Sequence, residues 1–208
     1  DALSGAGESF GNGLEVAFLL NIAIIIFGWR QSKDLKLALE AYGLAEKAAQ
    51  QSAYCDYTTG LANRRQLMRI LDDCLEGGAQ ATVILLDLDD FKKVNDLYGH
   101  VAGDQLLKSV SMILLEEVPE GSCCARTGGD EFALLVPTLD RDAVERVAAA
   151  ILERLSAPLE IEQSEVRISA SLGLAHLKRK MSPVDVLRQG DVAMYAAKRA
   201  GRNSFAWF

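Results

Sequence analysis

Two strand-like runs, Ser122-Cys123-Cys124-Ala125-Arg126 and Phe132-Ala133-Leu134-Leu135-Val136, flank the stretch Thr127-Gly128-Gly129-Asp130-Glu131. No other feature of the chain restricts its fold as much. Glycine takes positive φ without a Cβ clash, so a Gly-Gly pair between two short runs predicts a β-hairpin. An antiparallel pair must then belong to the sheet, with Asp130 and Glu131 lifted to the tip. The missing side chains of Gly128 and Gly129 let a ligand approach the backbone. The plain alternative is a solvated turn whose acids only keep it soluble.

The remaining pattern supplies partners for this hairpin. Thr82-Val83-Ile84-Leu85-Leu86 is a β-branched, apolar run that reads as a central buried strand, ended by Asp87-Leu88-Asp89-Asp90. Helical patterns run from Asn63 through Leu67, Ile70, Leu71 and Cys74, and again from Arg141 to Leu155. Another follows Asp90, breaks at Tyr98-Gly99-His100 and resumes from Gly103-Asp104 to Val118. Pro183 and Gly201 bracket a last helix, from about Pro183 to Ala200. Glu165–Leu174 and the tail Ser204–Phe208 read as strands. This mixture predicts an α/β (α+β) sandwich with a partly antiparallel sheet flanked by helices.

At 208 residues there is room for one such domain and an appendage. Residues 1–13 read as an exposed lead-in. Residues 14–29 are apolar all round apart from Glu15 and Asn21, end in Trp29 and are followed by Arg30, Lys33 and Lys36. Their 16 residues fall short of the ~20 usual for a bilayer. The edge aromatic and the following bases nevertheless favour a membrane helix with the C-terminal part in the cytoplasm. A buried or oligomer-forming helix is the alternative. Residues 30–55 carry a weak coiled-coil seam at Leu35, Ala38, Tyr42, Ala45, Ala49 and Ser52. The domain proper is expected over 56–208. A net charge of -7 argues against a nucleic-acid groove. Cys55, Cys74, Cys123 and Cys124 lack CxxC spacing and read as reduced thiols.

Asp87 and Asp89, two apart at a strand end, leave on one face. Asp90 suits the N-cap of the helix beginning at Phe91, and for Asp89 and Asp90 the structural reading is preferred. Asp87, at the end of a buried strand, needs a cation or a donor. Beside it the hairpin would complete an all-oxygen cluster of Asp87, Asp130 and Glu131. Such a cluster suits two Mg²⁺ ions and in-line phosphoryl or nucleotidyl transfer, with Mn²⁺ as an alternative ion. Phosphate donors are offered by the helix start after Asp90, by Lys92 and Lys93, and by Lys198 and Arg202 four residues apart. Stabilisation of a helix C-terminus is the alternative role for that last pair. Asn95, His100 and Asp104 supply the mixture that reads a base edge. A carboxylate there accepts from N1–H and the 2-amino group of guanine, which adenine cannot offer.

Five blocks in order, Asp56–Arg65, Asp87–Asp96, Tyr98–Asp104, Arg126–Phe132 and Asp191–Asn203, make the chain resemble the GGDEF family of diguanylate cyclases. The resemblance covers residue 56 to the end. It implies a fold like the palm of nucleotide cyclases and polymerases, and condensation of two GTP to cyclic di-GMP and pyrophosphate. It implies Asp87, the Leu88 carbonyl and Asp130 as Mg²⁺ ligands, with Glu131 in support and Asp130 helping to activate the attacking 3′-hydroxyl. Asn95 and Asp104 would read guanine with His100 nearby. The turn of Asp90, Phe91 and Lys92, together with Lys198 and Arg202, would bind phosphates.

Each such domain holds one GTP, so the resemblance also implies a homodimer, with residues 14–55 holding two copies together. With the membrane segment it implies a bacterial inner-membrane location, the catalytic domain in the cytoplasm and an upstream sensor domain or partner. The family's Arg-x-x-Asp inhibitory string is replaced by Pro119-Glu120-Gly121-Ser122, so no primary product-inhibition site is expected. Thr58 stands where leucine is usual, and Gly190 where alanine is usual. A non-catalytic scaffold responsive to GTP or cyclic di-GMP is the competing function.

Overall fold

The computed structural model describes residues 53–161 and 164–208, and in the N-terminal stretch 18–22, 26–33, 35, 36 and 39. The chain forms two compact units, Asp1–Gln51 and Ser52–Phe208. In the first, residues 18–22 and 26–33 are helical, and Phe18, Leu19, Leu20, Phe27 and Trp29 are exposed. Among the described residues no helix is long and apolar enough to cross a membrane. This overturns the spanning helix over 14–29 and the inner-membrane location. Sixteen helical residues rise only about 24 Å, against a hydrocarbon core of about 30 Å. The lead-in 1–13, and every seam position of 30–55 except Leu35, lie outside the described residues.

The second unit is a mixed six-stranded sheet with helices on both faces. Its strands are β1 (Ala62–Asn63), β2 (Thr82–Asp89), β3 (Cys123–Gly128), β4 (Glu131–Val136), β7 (Ser169–His176) and β8 (Ser204–Trp207), in spatial order β1-β3-β4-β2-β7-β8. β2 is central and antiparallel to both β4 and β7, while β1–β3 and β7–β8 are parallel. The helices are α1 (Arg64–Glu76), α2 (Phe91–Glu117), α3 (Arg141–Ser156) and α4 (Pro183–Arg199). In a small separate hairpin β5 (Leu159–Ile161) pairs with β6 (Ser164–Val166), which takes Glu165 and Val166 from the strand expected over Glu165–Leu174.

Period-two alternation divides the core. Ile84, Leu86 and Leu88 join Phe132 and Leu134 under α2 and α3. Val83 and Leu85 join Ala133 and Leu135 under α1 and α4. α2 departs from helical backbone at Gly99 (φ 85°, ψ 165°), inside the break expected there, and resumes at once rather than at Gly103. α4 starts with a Ser182–Asp185 capping box and Pro183, which fix its first turn. It then lies very close to β7: a Cβ on Gly173 would run into the Gly190 carbonyl and the Met194 backbone nitrogen.

Candidate active site

β2 ends where β4 begins, so register brings the strand-end acids to the hairpin acids. Asp87 lies directly opposite Glu131, and the Leu88 N–H donates to the Asp130 carbonyl at 3.2 Å. Alternation turns Asp87 toward the α4 face, where Lys198 Nζ meets Asp87 Oδ1 at 2.7 Å. Burial pushes the Asp87 carboxyl above its ordinary range; Lys198 opposes this, and the charges of Asp130 and Asp89 add to it. Glu131 is raised first by burial and then by Asp87, Asp191 and Asp130.

Acids withdrawn from water beside one another favour a cation. The oxygen donors fit Mg²⁺, which binds through one or two carboxylates plus phosphate oxygens rather than in a complete protein cage. The ready-made three-acid cluster read from the sequence is not formed: among the described residues no three His, Cys, Asp or Glu side chains are grouped to hold a metal ion. Converging carboxylates repel one another, and the Lys198 ammonium is the counter-charge that Asp87 takes.

Most of the other predicted residues lie at the start of α2, at its kink and at the hairpin tip. Asp90 occupies the N-cap position of α2, but with left-handed backbone (φ 60°) and no side-chain capping bond. Its carboxylate pairs with Lys93 at 3.0 Å instead, which corrects the capping role read from the sequence. Phe91 is buried in the core, while Lys92 is exposed. The Gly99 kink lets the two halves of α2 touch: a Cβ on Gly103 would collide with the Asn95 amide. Asn95 is thereby placed against Gly103, the residue before Asp104, and both Asp104 and His100 are exposed. Gly129 takes φ 50° at the hairpin tip, the conformation expected of it.

Sequence reasoning missed the brace under that tip. Arg126, with only 12% of its side chain exposed, bonds Asp56 Oδ1 at 3.0 Å and donates from Nε and Nη2 to the Gly129 carbonyl at 2.9 and 2.7 Å. Asp56 Oδ1 also accepts from the Thr59 amide and hydroxyl at 2.9 and 2.7 Å. The signal was an acid and a base, each beside a glycine turn, with no other stated use.

Burial acts to raise the Asp56 carboxyl, but the Thr59 bonds and then Arg126 outweigh it and hold it below 3.8. A depressed folded-state pKa gives stability that is complete above the ordinary value and lost as pH falls through the folded value. Asp56→Asn is therefore expected to flatten the fall of melting temperature below about pH 4. An unchanged slope in thermal melts across that range would remove the argument.

A groove of about 460 Å³ borders the acids, lined by Glu131, Asp191, Val192, Met194, Tyr195 and Lys198. A cavity of about 480 Å³ lies at the other end of the sheet, by Gln80, Leu139, Leu177 and Arg179, away from every predicted site residue.

The family described as "Diguanylate cyclase, GGDEF domain" matches residues 53–204. The chain is 41% identical over 159 residues to the cyclic di-GMP phosphodiesterase PdeR of Escherichia coli K12, covering 75% of this chain and 24% of PdeR. It is 37% identical over 159 residues to the diguanylate cyclase TpbB of Pseudomonas aeruginosa UCBPP-PA14, covering 73% of this chain and 37% of TpbB. The chain thus spans about a quarter to about a third of these relatives. Among solved structures, the coiled coil and GGDEF domain of DgcB from Caulobacter crescentus, in complex with c-di-GMP, superposes with a TM-score of 0.77 at 29% identity. That match covers 86% of this chain and 97% of the other.

Proposed function

We propose that this chain, which belongs to the GGDEF diguanylate cyclase family, condenses two GTP into cyclic di-GMP and pyrophosphate, each of two facing copies presenting one nucleotide. The observation that carries this reading is the register that sets half-buried Asp87 against Glu131 beside the Asp130 turn, with Lys198 across from them.

In this reading Asp87, the Leu88 carbonyl, Asp130 and Glu131 hold two Mg²⁺, or Mn²⁺. The ions supply charge neutralisation at the α-phosphate and a lowered pKa for the attacking 3′-hydroxyl. Gly128 and Gly129 leave the backbone open to the nucleotide. The turn of Asp90, Phe91 and Lys92 presents free N–H groups to phosphate, and Lys198 and Arg202 bind the same phosphates from the α4 side. Lys198 would exchange Asp87 for a phosphate oxygen as substrate enters. Asp104 and Asn95 read the guanine edge, with His100 beside the base. Asp104→Ser is expected to cut the preference for GTP over ATP at least about tenfold, because the N1–H and 2-amino donors lose their acceptor. Competing GTP and ATP turnover measures it.

Residues 30–55 are proposed to pair the two copies, a reading supported by the coiled coil of the DgcB structure. It fails if residues 56–208 alone are as dimeric and as active as the whole chain. The surface before β3 is a Pro119–Ser122 turn without an arginine, so weak product inhibition there accompanies the reading.

A second reading, a non-catalytic GGDEF domain, has one observation behind it: the 41% relative is named a phosphodiesterase, and this chain matches only 24% of it. Incubation with GTP and Mg²⁺, followed by separation of the nucleotides, decides between the two. Cyclic di-GMP and pyrophosphate support the enzyme; bound but unchanged GTP supports the scaffold.

A further inference from the structure

Asp87 and Asp89 leave the same end of β2 on the same face, yet their surroundings differ. Asp87 is half-buried and pairs with Lys198 at 2.7 Å. The Asp89 side chain is 3% exposed and both of its oxygens are engaged. Oδ1 accepts from the Ser171 hydroxyl at 2.8 Å and faces Arg202 Nε at 3.8 Å. Oδ2 accepts from the Ser169 hydroxyl at 2.7 Å and from the Asn203 backbone N–H at 3.2 Å. Three hydrogen bonds and a facing guanidinium surround that carboxylate, whereas its neighbour two residues back has one ammonium partner.

The segment it grips is unusual. Gly201, Arg202 and Asn203 follow α4 with φ of 122°, 64° and 43°, three positive values in a row. Only the first is a glycine, and left-handed backbone at other residues persists where the surroundings over-determine it. The constraints here are Arg202 N–H to the Ala197 carbonyl at 3.2 Å, Ser156 Oγ to Asn203 Oδ1 at 3.2 Å, and the two contacts to Asp89. Ser204 then pairs with Ser171 as β8 begins. Asp89 therefore ties the ends of two neighbouring strands to the turn that carries Arg202.

We propose that Asp89 is a positioning residue: anchored by Ser169 and Ser171, its buried carboxylate holds the Gly201–Asn203 turn in left-handed backbone and so aims Arg202 at the substrate phosphates. The proposal rests on the reading above, in which Arg202 binds phosphate. Asp89 itself touches no reacting atom. Asparagine at this position keeps one acceptor oxygen for a serine but sets an NH₂ donor against either the Asn203 N–H or Arg202.

The test has one arm without nucleotide and one with it. In the free chain, Asp89→Asn is expected to speed amide hydrogen exchange over residues 198–204 at least about tenfold, with exchange in α3 unchanged. With a non-hydrolysable GTP analogue, Asp89→Asn and Arg202→Ala are each expected to weaken affinity about tenfold, and the double variant no further than either alone. With GTP itself, KM rises while kcat is held, since the lost contact binds ground and transition states alike. Unchanged exchange over 198–204, or affinity losses that multiply in the double variant, would overturn the proposal. Should Asp89→Asn fail to fold, Ser169→Ala removes one anchor and is read in the same two ways. A wild-type chain that binds no GTP analogue sinks the proposed function, and the exchange arm then still decides whether Asp89 holds the turn.

Discussion

Asp87→Ala and Asp130→Ala are each expected to lower cyclic di-GMP formation by roughly three orders of magnitude, the loss that follows when several kcal/mol of transition-state charge stabilisation disappear. Asp87 is a half-buried acid raised by burial, and its removal leaves Lys198 without its partner. A carboxyl whose folded-state pKa is raised costs stability above its ordinary range, and that cost is relieved as pH falls. Asp87→Ala relieves the buried acid but orphans an ammonium that is 33% exposed on its side chain and can turn to water, so the net change in melting temperature is expected to be small. Full turnover by a folded Asp87→Ala chain, in the GTP and Mg²⁺ incubation, would end the metal-holding role of Asp87. A rate lost together with the melting transition would only report unfolding, so both are measured on the same preparation.

Gly173→Ala is the second large expectation, and it acts through stability alone. The added Cβ would meet the Gly190 carbonyl, the Met194 nitrogen and the Met194 Cβ, two of which are backbone atoms of a packed helix. Backbone cannot turn aside as a side chain can, so α4 has to move off the sheet. Overpacking of this kind costs about 3 kcal/mol, at the upper end of the usual range. In a domain of this size that lowers the melting temperature by roughly 10 °C. Gly190→Ala should cost less, because its Cβ would press on the Leu85 side chain, which can choose another rotamer. Thermal melts of the two variants, ranked against each other, check the argument; equal losses would contradict it. The comparison also gives Gly190 a reason for standing where its family usually has alanine: Leu85 fills the space.

Much of the fold was legible because its elements are written locally. The alternation of Val83, Ile84, Leu85 and Leu86 fixes a strand buried on both faces. Pro183, with Ser182 before it, starts α4 where expected, and Gly99 breaks α2 where expected. The membrane reading of residues 14–29 failed because composition was allowed to outweigh length. Glu165–Leu174 reads as one strand because nothing in its residue types marks the break at Arg167 and Ile168, which leaves Glu165 and Val166 to a separate hairpin.

The site was less legible than the fold. Asp87 and Asp130 announced themselves as acids at a strand end and a turn, but the charge partner of Asp87 came from 111 residues downstream, at Lys198. The Asp56 carboxylate on Arg126, and the Ser169 and Ser171 hydroxyls on Asp89, come from partners 70 to 82 residues away along the chain.

The sequence by itself determined the hairpin, the central strand, the helices and the family, because each rests on residues close along the chain: φ preference, periodicity, capping and motif. Only the tertiary structure decided which of two identical acids two residues apart meets a single ammonium and which is held by several donors. That choice depends on which strand lies alongside β2 and on where α4 ends. Two hydroxyls and a backbone N–H delivered from β7 and the turn after α4 bond Asp89, with a guanidinium facing it, while Asp87 is left with one ammonium.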